Sequence, residues 1–192
     1  MYGIAITART GSLDPVTSTE IKAHVRQDHT ADDTVLADLV SAAALKVEDD
    51  MGTVLREATL TLTMDRWPTS GVIAIPRFPV QSVGSVTYLE EGEVSATTLS
   101  STLYRVDTTS LPPRLVLKKN QQWPTDALEH GAPITVTFTA GYADGAVPER
   151  EKHAVKLLVG HWYANRESVV TGTIAQNVPE SYRSLVLGSR LW

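Results

Sequence analysis

Leu36-Ala-Asp-Leu-Val-Ser-Ala-Ala-Ala-Leu-Lys-Val-Glu-Asp-Asp-Met51 and, seven residues on, Ala58-Thr-Leu-Thr-Leu-Thr-Met64 follow two different periods. In the first, Leu36, Leu39, Val40, Ala43, Val47 and Met51 fall at offsets 0, 3, 4, 7, 11 and 15, which is one apolar stripe on a helix of 3.6 residues per turn. The second alternates strictly between apolar residues and threonine, as a half-buried strand does. Gly52 sits between them, where a helix C-terminus favours a left-handed residue. A helix handing over to a sheet within a few residues fixes the class as α+β.

Upstream, Asp32 or Asp33 can cap this helix, and Thr17-x-x-Glu20 is a capping-box pattern that opens a shorter one carrying Ile21 and Val25. The predicted helix pair spans 17–52. Downstream, Val72–Ile75, Val83–Leu89, Tyr104–Val106, Leu115–Leu117 and Ile134–Ala140 are short β-rich runs separated by Pro, Gly and Ser turns. They predict an antiparallel β module over 56–141. Helical period returns after Pro148, with Ala154, Val155, Leu158, Val159 and Trp162 as its stripe, giving a core helix over 148–167. The helices on either side of the β module are expected to pack together as one helical core within a single domain, 1–192.

After Ser168 the pattern weakens, so 168–192 reads as a C-terminal arm. Tyr182, Leu185, Val186 and Leu187 suit one or two helical turns, and the chain ends on Leu191-Trp192. An apolar end after a featureless stretch calls for burial. Period and composition do not choose between folding back on the core and docking on another chain.

The 192 residues include no cysteine, which rules out disulfides, thiolate metal sites and a cysteine nucleophile. No run approaches the ~18 apolar residues of a membrane span, and Met1 to Pro15 has no apolar signal segment. A soluble chain made in a cytoplasm is expected. The net charge of −5 is localised: residues 18–51 carry eight acids against Lys22, Arg26 and Lys46, while the rest of the chain balances.

Catalysis finds little to work with. The nucleophile elbow, phosphate loop, dinucleotide fingerprint and metalloprotease helix are all missing from the sequence. His24, Asp28, His29, Asp32 and Asp33 gather around one turn, but in no metal-ligand spacing. Arg114, Lys118 and Lys119 make the compact basic patch, with Trp123 near it, in an otherwise acidic chain. Trp67-Pro68 and Trp123-Pro124 read as aromatic anchors at the ends of β segments. No enzyme, metal or cofactor is expected.

Several strings occur in a telling order: Phe78-Pro-Val-Gln-Ser-Val-Gly-Ser-Val-Thr-Tyr88, Leu103-Tyr-Arg-Val-Asp107, Trp123-Pro124, Phe138-Thr-Ala-Gly-Tyr142 and His161-Trp-Tyr-Ala-Asn-Arg-Glu167. Over about residues 17–167 the chain resembles the head–tail connector (adaptor, or head-completion) proteins of tailed bacteriophages and gene transfer agents. The resemblance implies a structural virion protein of the head–tail neck, forming a homo-oligomeric ring, commonly a dodecamer, below the portal protein. Such a ring extends the DNA channel and offers a platform to a stopper or tail-completion protein, with genomic DNA passing through unbound and no membrane involved. It also implies portal contact by the arm, for which Tyr182, Leu185, Leu187 and Trp192 are the candidates. Trp162, Tyr163, Trp67 and Trp123 are the candidate subunit contacts, and Asp32, Asp33, Asp49 and Asp50 candidate acids facing the channel. Another neck component, or a small ligand-binding module on a helical scaffold, are the alternatives.

Overall fold

The computed structural model describes residues 2–9, 14–165 and 180–188. The chain divides into a helical unit (Gly11–Arg56 with Tyr142–Trp192) and a β unit (Met1–Thr10 with Glu57–Gly141). The fold is α+β, a helical core with an inserted antiparallel β module.

In the helical unit, α1 (Ser18–Val25) opens on the anticipated capping box. Thr17 Oγ1 accepts from the Glu20 amide at 3.2 Å, and the Glu20 carboxylate accepts from the Thr17 amide at 2.7 Å. Two free amides of the first turn are satisfied this way. The second helix, α2 (Asp33–Met51), ends at Gly52 with φ 67°, a left-handed conformation that costs glycine nothing. Asp32 stands at its N-cap but makes no capping bond. Its carboxylate instead accepts from Gln27 Nε2 at 3.1 Å and from the Tyr163 hydroxyl at 2.5 Å.

Pro148 leads into α3 (Glu149–Ala164), which packs on α2. Ile21, Val40, Val47, Met51, Val155 and Leu158 close into one apolar cluster. Each such side chain contributes about 1.5–3 kcal/mol on burial, and the stripes read from the sequence are the buried faces. Glu48, Thr53 and Glu151 are the buried polar residues among those described; Glu48 is 4% exposed, its carboxylate accepting the Leu55 amide at 2.8 Å. The short α4 (Glu180–Leu187) lies against α2 and α3, with Tyr182 and Val186 buried in the same cluster. Of the two outcomes open for the arm, this segment folds back. The flanking stretches 166–179 and 189–192, including Trp192, lie outside the described residues.

In the β unit, β1 (Tyr2–Arg9), β2 (Ala58–Met64), β8 (Ile134–Ala140), β4 (Val80–Tyr88) and β5 (Thr97–Thr98) form one antiparallel sheet in that order. A second sheet has the order β3 (Val72–Ala74), β7 (Arg114–Leu117), β6 (Tyr104–Asp107). At the centre, Thr59, Thr61 and Thr63 pair with Thr139, Thr137 and Thr135. On the opposite face Leu60 and Leu62 meet Phe138 and Val136, all buried. A one-residue slip would exchange apolar and hydroxyl faces throughout, so this register is strongly specified.

Sequence reading passed over β1. It pairs with β2 along its length, with a bulge between Ile6 and Ala8. Tyr2, Ile4 and Ile6 alternate with Gly3, Ala5 and Thr7, but Gly3, Ala5 and Ala8 are poor strand formers and dilute the signal. As an edge strand β1 needs only one partner, and β2 supplies it.

Candidate functional site

The candidate contact residues fall into four places. Trp67, just beyond β2, and Trp123, ahead of Pro124, stack at 4.9 Å between ring centroids and 7° between planes. Tyr88 meets Trp67 edge-on at 5.7 Å. Both indole N–H groups are buried without a hydrogen-bond partner among the described residues. The two anchors therefore spend one face on each other, an arrangement 56 residues of separation gives no hint of. Beside them runs a groove of about 390 Å³ lined by Pro68, Ser70, Gly71, Val116, Gln122 and Trp123.

Trp162 and Tyr163, at the end of α3, are half-buried against the helical core. The Tyr163 hydroxyl reaches Asp32, tying the end of α3 to the start of α2.

The four candidate channel acids do not form one patch. Asp32 and Asp33 lie at the start of α2, Asp49 and Asp50 in its last turn, about 25 Å apart along the axis at 1.5 Å per residue. Partners within the chain hold Asp32 (Tyr163), Asp33 (Lys22 at 2.5 Å) and Asp50 (Lys46 at 2.5 Å and Tyr182 at 2.6 Å), and Asp49 interacts within the chain as well. Asp49 is the exposed member.

On α4 the candidates separate by side. Tyr182 is only 3% exposed and faces inward, Leu185 is half-buried, and Leu187 is 66% exposed. Helical spacing puts Tyr182 and Val186 on the core side and Leu187 on the other.

Arg114 and Lys118 read from sequence as a basic patch on a loop; the structure places Arg114 in β7, on the outer face of the second sheet. Residues opposite one another in antiparallel strands share a side, so Val72, Val116 and Arg105 stand in one row, and Ala74, Arg114 and Asp107 in the next. Their inward neighbours Ile73, Leu115 and Tyr104 are buried, while Arg105, Arg114 and Ala74 are exposed. Alternation along Arg114-Leu-Val-Leu117 carried that signal, but the pairing with β3 and β6 was needed to assemble the row.

Titration is perturbed at the α1–α3 contact. Hydrogen bonding from the Thr17 amide, followed by Lys156 (Nζ–Oε1 3.0 Å), pulls Glu20 down to about 2. Burial, then the charges of His153 and Lys156, pushes His24 below its ordinary value. The His24 and His153 rings meet edge-on at 6.4 Å. Among the described residues no group of three or more His, Cys, Asp or Glu is placed to hold a metal ion, and no helix is long and apolar enough to cross a membrane.

Neither a scan against protein-family models nor a search of curated proteins finds a match. Solved structures do. A chain of "Virion of native gene transfer agent (GTA) particle" superposes with a TM-score of 0.77 at 20% identity, covering 97% of this chain and 94% of that one. The fold is that of a gene transfer agent particle chain. A chain of "Neck of native GTA particle computed with C12 symmetry" gives 0.73 at 19% identity over 99% of this chain and 94% of that one. A chain of "Neck of empty GTA particle computed with C6 symmetry" gives 0.72 at 22% over 99% and 95%. The neck-chain fold thus extends over both units and is not confined to the ordered strings that first suggested it.

Proposed function

We propose that this chain is a structural subunit of a virion-like neck: a head–tail connector (adaptor) that forms a homo-oligomeric ring below a portal protein. The observation that carries this reading is the near-complete likeness to chains of gene transfer agent necks, reconstructed with sixfold and twelvefold symmetry. Two separately packed units also suit the role, since one can build the ring while the other meets a neighbour or the stopper or tail-completion protein.

Portal contact falls to the arm, with Leu187 and Trp192 as the residues to test, Leu185 beside them and Tyr182 holding α4 in place. Subunit contacts are assigned to the Trp162/Tyr163 end of α3 and to the Trp67/Trp123 corner. The decisive experiment is to tag the chain and image particles from the producing cell. A tagged ring between head and tail is the expected result, together with DNA-filled, tailless heads when the gene is deleted. Normal tailed particles lacking the chain would overturn the reading.

A further inference from the structure

The outward side of α2 and the outward side of the second sheet are a matched pair. Along α2, Val35, Asp38, Ala42, Leu45 and Asp49 follow one another at spacings of 3 and 4, so they share a stripe. All five are exposed, Val35 at 40% and Leu45 at 47%, which is unusual for apolar residues on a helix with a well-filled opposite face. The stripe is apolar with an acid at two of its five positions. Lys46 beside it is held by Asp50 at 2.5 Å.

The outer face of the β3–β7–β6 sheet has the opposite character. Val72, Ala74 and Val116 supply an apolar strip, Arg105 and Arg114 add two cations, and the exposed Lys118 follows directly after the end of β7. Asp107 neutralises Arg114 at 3.1 Å and is itself held by Thr109 and Ser110. Arg105 and Lys118 are left as the outward charges, with Lys118 Nζ only loosely placed at 3.4 Å from the Ser101 carbonyl. Leu111, in the β6–β7 turn, is 66% exposed at the end of this face.

We infer that the α2 stripe of one copy docks on the outer face of the β3–β7–β6 sheet of the next copy in the ring. A closed ring needs a heterologous contact, in which two different patches of each copy meet. Here one patch is apolar and acidic, the other apolar and basic, and both lie on one chain. Self-pairing of either patch would set like charges together, which disfavours a twofold dimer. The contact gives the localised acid surplus a partner within the assembly.

The inference rests on the ring reading, and the test separates the two. The chain has no cysteine, so Ala42→Cys with Ala74→Cys introduces two unique thiols at exposed small residues. A short bismaleimide applied to assembled necks should link copies into a ladder on a denaturing gel, and neither single variant should go beyond a dimer. In parallel, Asp38→Lys with Asp49→Lys, and Arg105→Glu with Lys118→Glu, should each lower ring formation at least tenfold while keeping the wild-type circular dichroism spectrum. The chain carrying all four reversals should regain it. Rings that form normally in both charge-reversed chains, or a quadruple variant with no recovery, overturn the contact and leave the ring reading intact. A wild-type chain absent from any ring removes both.

Discussion

The hydroxyl of Tyr182 donates to the Asp50 carboxylate at 2.6 Å, fastening α4 to the last turn of α2 across 132 residues of sequence. Asp50 is held from the other side by Lys46. The bond is charge-assisted and the phenol ring is buried, so α4 is anchored by both polar and apolar contacts. Tyr182→Phe is expected to weaken this attachment by about 1.5–3 kcal/mol. Amide exchange in 180–187 should accelerate while α2 and α3 stay protected. Equal acceleration across all helices would mean that the bond supports the whole unit rather than α4.

Glu48 gives a sharper test of the core. Glu48→Ala leaves the buried Leu55 amide without its acceptor, at an expected cost of about 1–3 kcal/mol in urea unfolding. Glu48→Gln retains a carbonyl oxygen there and should cost less. A glutamine variant as unstable as the alanine one would show that charge, not the acceptor, is what the site requires.

At the start of α1, Thr17→Ala is expected to cost about 1 kcal/mol. The depressed Glu20 value means that its stabilising contribution is full above the unfolded value of about 4.5 and is lost as pH falls from there to about 2. Removing the threonine hydroxyl should raise the Glu20 midpoint in an NMR titration. The larger effects of the backbone amide and Lys156 should keep it below 4.5.

His24 sets a second pH dependence, at higher pH. Its folded value is depressed, so below about 6.5 the unfolded chain takes up a proton that the folded chain resists, and stability falls as pH drops through this range. His153 and Lys156 face it from α3, and Glu20 offsets Lys156. His24→Gln should flatten the fall in urea midpoint between about pH 8 and pH 5. An unchanged slope would assign the effect to other groups.

The Trp67–Trp123 stack should be visible as exciton coupling in circular dichroism, given planes 7° apart at 4.9 Å. Replacing either residue with Phe should abolish the couplet at small cost, whereas Trp123→Ala should lower stability by about 3–5 kcal/mol. A couplet surviving either phenylalanine variant would exclude the stack as its source.

What the chain disclosed in advance follows from how local each signal is. The capping box at Thr17, the stripe from Leu36 to Met51 and the threonine alternation at Ala58–Met64 and Ile134–Ala140 are written within single elements, and each appears where its period placed it. The strand at Tyr2–Arg9 was not legible, because most of its stabilisation comes from β2 across some fifty residues. The stacking of Trp67 on Trp123 and the ties from Tyr163 and Tyr182 to Asp32 and Asp50 are likewise long-range. An aspartate in a turn reads as a cap from sequence, and only the fold shows that a tyrosine from another helix has taken it. The candidate surfaces show the same divide: their residue types were visible, but their grouping into rows needed the strand pairing.

The interleaving of the two units along the chain also dictates a timetable for synthesis. When α2 has left the ribosome, Val40, Val47 and Met51 have no α3 to cover them until some hundred further residues have been made. Over the same interval β2, already paired with β1, waits for β8, its central partner and the last of the described strands to emerge. Neither unit can finish early: the β sheet closes at Ala140, α3 covers α2 by Ala164, and α4 completes the helical cluster at Leu187. A nascent chain halted near residue 130 would thus present an uncovered helix stripe together with an open edge of β2, and such exposed surfaces favour aggregation. Steady elongation through 130–165 shortens the time for which both surfaces stand open.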